Sequence, residues 1–114
     1  MALTRYRDVE WFQPGENPDP DDTDLQKAWL HRGSFFAHAI RLAPGYVVPP
    51  HSHDRDELMV VLSGSATLES GVVVEAPDSL LLAANVDYGF TAGPGGMEFM
   101  VVRTGQAGLT ITGE

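Results

Sequence analysis

The sequence predicts one small, all-β domain, and three observations carry that expectation. Its 114 residues suffice for a single domain and leave no room for a second. From residue 25 onward, apolar runs of about four to eight residues alternate with Gly and Pro punctuation, the pattern of short strands. No segment sustains helical periodicity, and no repeat occurs at a solenoid period. About ten short strands in a hundred residues must hide their edges, either in a small barrel or in two packed sheets.

Residues 1–24 read as an N-terminal arm and 25–114 as the β domain. Seven of the sixteen acidic residues fall between Asp8 and Asp24, among Pro14, Gly15, Pro18 and Pro20. Like charges and prolines oppose pairing, so residues 13–24 are expected to be an irregular, solvated loop, with Trp11 and Phe12 as apolar anchors. Residues 27–31 and 34–42 flank an Arg32-Gly33 turn, although 24–30 would also allow one helical turn. After Ala43-Pro44-Gly45 come strands at 46–53, 57–62, 65–69, 72–75, 79–84 and 88–91. Gly93-Pro94-Gly95-Gly96 then turns into 97–103, and 109–112 is a last short strand.

Composition excludes several classes of function. Hydrophobic residues make up 43% of the chain, enough for one core. The absence of cysteine removes disulfide scaffolds, thiol nucleophiles, Fe–S clusters and Cys-based zinc sites. A formal charge of −9 repels phosphate backbones and anionic lipids, so nucleic acid and membrane surfaces are not expected partners. The apolar runs at 58–62 and 80–84 are far too short to span a bilayer, and residues 1–7 contain no signal-peptide core. A cytoplasmic protein is the expectation.

The chemistry centres on His51-Ser-His53. In an extended strand residues i and i+2 point to one side, so both imidazoles face one space. Glu57 keeps the same parity if residues 54–56 preserve the phase. Two imidazoles and a carboxylate form a facial triad favoured by Fe(II), and also suit Mn, Ni, Co or Zn. The full spacing is Gly45-x5-His51-x-His53-x3-Glu57-x6-Gly64, preceded by Pro49-Pro50 and ending in Leu62-Ser63-Gly64.

That pattern resembles the first motif of the cupin superfamily at every fixed position, and the resemblance covers roughly residues 34–104. It implies a double-stranded β-helix, the jelly-roll-like RmlC-type barrel, with a divalent transition metal, iron first, held inside by His51, His53 and Glu57. It also implies a homodimer, with Trp11, Phe12 and Trp29 as candidate contact residues. The second family motif departs from the pattern. Ala76-Pro77-Asp78 occupies its turn, but Tyr88 stands where the fourth ligand, a histidine, belongs, and no histidine follows His53.

Three outcomes stay open at Tyr88: a phenolate ligand, a three-ligand metal beside a Tyr88 acid or donor, or a metal-free organic-ligand site. His38, in phase with Phe36, Ile40 and Leu42, is either a core histidine or an acid–base group or ligand beside the site. By parity, Met59, Phe90 and Phe99 wall the pocket, while Val61 and Val101 fill the barrel. Arg41 and Arg103 are either partners of a substrate carboxylate or, as is more usual for isolated strand arginines, surface charges. The expected function is a metal-dependent, dioxygenase-like enzyme acting on a small organic molecule, with Glu57 as base. The alternatives are a non-catalytic ligand or metal carrier, and a metal-independent isomerase.

Overall fold

The computed structural model describes residues 1–15, 19, 21–104 and 109–111, the last three by their backbone alone. Of the expected arm, Glu16, Asn17, Pro18 and Pro20 lie outside these residues, as does Thr112 of the last strand. The described residues form eight strands: β1 (Leu25–Arg32), β2 (Phe36–Leu42), β3 (Val47–His53), β4 (Glu57–Leu68), β5 (Val73–Glu75), β6 (Ser79–Leu82), β7 (Tyr88–Arg103) and β8 (Leu109–Ile111). The turn of helix allowed at 24–30 does not form. Its backbone instead joins β1, which pairs antiparallel with β2 from Leu25 to Arg32.

Every ladder is antiparallel. The path runs β1-β2-β7-β3-β8, and β4 adds to β7 while also pairing β5 and β6. This is the all-β, jelly-roll-like sheet anticipated from the strand pattern. Hydrogen bonding does not close it into a barrel, since among the described residues no ladder joins β1 to β5, β6 or β8. Phe12 instead covers part of the β1 edge by exchanging two backbone hydrogen bonds with Lys27, at 2.8 and 2.9 Å.

Two expected turns are interruptions inside longer strands. Residues 57–62 and 65–69 merge into β4, and 88–91 and 97–103 merge into β7. Gly64 pairs with Met97 but Ala66 pairs with Ala92, so two steps along β4 match five along β7. The Gly93–Gly96 stretch is therefore a bulge that bends the sheet without reversing the chain. Gly64 (φ +75°) and Gly96 (φ +79°) meet at this bend, and a Cβ on Gly64 would run into the Gly96 carbonyl oxygen. Met59, Val61, Ala66, Phe90, Phe99 and Val101 are among the core residues on the inner face.

The N-terminal segment packs on the opposite face. Thr4 Oγ1 donates to Leu30 O at 2.7 Å, and Tyr6 Oη donates to Glu98 at 2.8 Å. The Arg41 guanidinium, ion-paired to Glu98 at 2.9 Å, lies 4.0 Å from the Trp11 ring centre. Ala28, Ala37 and Ala39 are buried, small residues that let another layer approach closely. Trp11 and Trp29, read from sequence as interface candidates, thus both find partners within the chain.

Candidate functional site

The inner face encloses a cavity of about 390 Å³, lined from β1, β2, β3, β4, β6 and β7. Met59, Phe90 and Phe99 form much of its apolar wall, with the two phenyl rings edge to face at 5.8 Å. Val101 also reaches the cavity, against the expectation of a filler, whereas Val61 is fully buried. Tyr88 and Phe90 line it from even positions of β7, Phe99 and Val101 from odd ones. The bulge between them supplies this change of phase.

His51 and His53 enter from β3. Pro49 and Pro50 cannot donate to a ladder, and the β3–β7 register shifts between Val48 and His51. Past that shift, His51 faces Tyr88 on β7 as its register partner. The two rings are 4.3 Å apart, and His53 lies 5.1 Å from His51 and 6.1 Å from Tyr88. His51 Nδ1 is 3.0 Å from the Pro49 carbonyl oxygen. That oxygen only accepts, which assigns the proton to Nδ1 and the lone pair of the neutral ring to Nε2. The loop before Tyr88 steadies His53, because Asn85, in the left-handed region at φ 61°, donates its N–H to His53 O at 2.7 Å.

Glu57 opens β4 and is 2% exposed. Arg103 Nη1 donates to its Oε1 at 3.1 Å, and His53 Nε2 lies 3.5 Å from the same oxygen. Burial and the Glu57 charge raise the Tyr88 pKa, outweighing the opposing effect of Arg103, so the phenol stays protonated. His38, 6% exposed, is pulled down to about 3 by burial and by the charges of Lys27, Arg103 and His53. It is a neutral imidazole on the cavity wall, and its Nδ1 has no hydrogen-bond partner among the described residues.

All the side chains singled out from sequence line this cavity: His38, His51, His53, Glu57, Met59, Tyr88, Phe90 and Phe99. Among the described residues no three His, Asp or Glu side chains are grouped to hold a metal ion. His53 and Glu57 approach each other, but a guanidinium already occupies the carboxylate they share. Two basic residues also line the cavity. Arg103, weighed from sequence as a carboxylate partner or a surface charge, has a side chain only 9% exposed, and Lys27 carried no site assignment from sequence. The available signal was parity, since Arg103 shares the phase of Phe99 and Val101.

No protein-family model and no curated protein matches this sequence. Solved structures do match it. The polyketide cyclase RemF from Streptomyces resistomycificus superimposes with a TM-score of 0.80 at 22% identity, covering 98% of this chain and 85% of that one. An RmlC-like cupin from Shewanella frigidimarina NCIMB 400 gives 0.74 at 20% identity, over 93% and 92%. KdgF from Halomonas sp. gives 0.73 at 16%, over 93% and 96%. At these identities the comparisons define the class by fold alone. The chain has the fold of the RmlC-like cupins.

Proposed function

We propose that this chain binds a small organic molecule with an apolar body and a carbonyl oxygen, and moves a proton on it without a metal. Proteins of this fold carry names as different as a polyketide cyclase and KdgF, so the fold leaves the chemistry open and the site must decide it. The observation that carries the reading is the pairing of Tyr88 and His51, an acid and a base whose ring centres lie 4.3 Å apart in a mainly apolar cavity. Tyr88 donates a hydrogen bond to the carbonyl oxygen. His51 Nε2 takes a proton from the adjacent carbon, whose electron pair becomes the enol double bond while the carbonyl π pair moves onto oxygen. Return of the proton to another position completes an isomerisation. The Glu57–Arg103 pair holds its charge beside His53, giving the polar wall a fixed field.

The test follows deuterium uptake beside the carbonyl in D₂O, by NMR, over a panel of ketones and diketones with chelator-treated protein. Exchange should fall by about 10²–10⁴-fold in His51→Ala and Tyr88→Phe. Ketones that bind without exchanging would leave a non-catalytic carrier in its place.

A second reading keeps the metal. Its support is the His51 Nδ1 contact to a backbone carbonyl, the arrangement usual for a metal-ligating histidine. His51, His53 and Glu57 would hold a divalent ion, iron first, which would supply Lewis-acid or oxygen chemistry to a dioxygenase. Stoichiometric metal in untagged protein, lost in both His51→Ala and His53→Ala, would favour this reading over the first.

A further inference from the structure

The charges around the cavity do not balance. Lys27 and His38 line it from β1 and β2, and Arg103 lines it from β7. Lys27 pairs in register with Ile40, and Trp29 with His38, so the ammonium and the imidazole are diagonal neighbours on adjacent strands. Trp29 organises this corner: its ring centre lies 4.2 Å from Lys27 Nζ and 4.7 Å from Arg32, and it meets His38 edge-on at 5.8 Å. Among the described lining residues Glu57 is the single carboxylate, and Arg103 holds it. Lys27 makes no ion pair among the described residues. Burial, Arg103 and Arg32 all lower its hold on a proton, a sign of positive charge in excess. His38 Nδ1 and Arg103 Nε are buried without a hydrogen-bond partner among the described residues.

Trp29 meets the Lys27 ammonium with a ring face but no counter-charge, and a half-buried ammonium with no ion-pair partner among the described residues is relieved by an anion where a cation would add to its cost. We infer that the ligand of this cavity is an organic carboxylate, its charged end set against Lys27 and its apolar body along Ile40, Phe99 and Phe90. A single excess positive charge among the described lining residues matches a carboxylate better than a doubly charged phosphate. This inference rests on the ligand-binding reading above and names its substrate class.

Titration calorimetry with octanoate and 4-phenylbutyrate, against 1-octanol, 4-phenylbutanol and octylammonium, tests it. Each carboxylate should bind at least about tenfold more tightly than its alcohol, with octylammonium weakest, a tenfold ratio being about 1.4 kcal/mol. Lys27→Met should bring the carboxylates to the level of the alcohols and leave the alcohols unchanged, while Lys27→Arg should keep the preference. With Trp11→Phe, Trp29 is the remaining tryptophan, and its emission should change with octanoate. Equal affinity of acid and alcohol, or a preference that survives Lys27→Met, overturns the inference while leaving the cavity a ligand site. Failure of every probe to bind overturns the inference, and the ketone exchange assay then decides separately whether the cavity is a ligand site.

Discussion

At the scale of single residues, burial sets the chemistry of the polar wall. His38 titrates at about 3 in the folded protein, against 6.5 for a free histidine. The unfolded chain therefore takes up a proton below pH 6.5 that the folded chain refuses, and this contribution to stability is lost as pH falls from 6.5 toward 3. The slope from this one group approaches about 1.4 kcal/mol per pH unit. Urea unfolding at pH 7.5, 6 and 5 should show a shallower acid decline in His38→Leu than in the unsubstituted protein; equal declines would refute it. Arg103 and Glu57 form the complementary case. Arg103→Met leaves a carboxylate of 2% exposure without its cation, and should cost about 3–5 kcal/mol. Adding Glu57→Gln should recover most of that loss, measured in the same denaturant series.

Strands β4 and β7 owe their shape to glycine. Gly64 and Gly45 both belong to the spaced motif and both have positive φ, +75° and +73°. Their surroundings differ, because a Cβ on Gly64 strikes the Gly96 carbonyl whereas nothing lies within 4 Å of one on Gly45. Gly45→Ala should cost about 1–2 kcal/mol, the backbone penalty alone. Gly64→Ala must displace backbone as well, and should lower the thermal midpoint markedly more in a side-by-side melt. Similar midpoints would mean that the β4–β7 bend yields easily.

Across the whole molecule, the N-terminal segment joins three strands, through Leu30 on β1, Arg41 on β2 and Glu98 on β7. Trp11→Ala removes the ring stacked on Arg41 and should destabilise the fold by about 1 kcal/mol or more, without changing affinity for a cavity ligand. The net charge of −9 acts over a longer range. An anionic ligand approaches against that field, so its association rate should rise as salt screens the repulsion, the opposite of a cationic ligand. Stopped-flow mixing with octanoate at 20 and 200 mM salt would read the difference. No described helix is long and apolar enough to cross a membrane.

Much of the fold was legible in the chain itself. Period-two alternation with Gly and Pro punctuation marked the strands, and the spacing of His51, His53 and Glu57 announced a shared cavity because strand parity is a local property. Phe90, Phe99 and Met59 followed from the same rule. Local rules could not tell a turn from a bulge at Gly93–Gly96, since both use the same residues. Nor could they pair Glu57 with Arg103 or set Lys27 beside His38. Those neighbours are fixed by register between strands distant in the chain, as in the Glu57–Arg103 pairing across 46 residues. The triad residues are thus a property of the sequence, whereas the guanidinium on the Glu57 carboxylate, and the Lys27 ammonium lining the same cavity, are brought to them only once the sheet has folded.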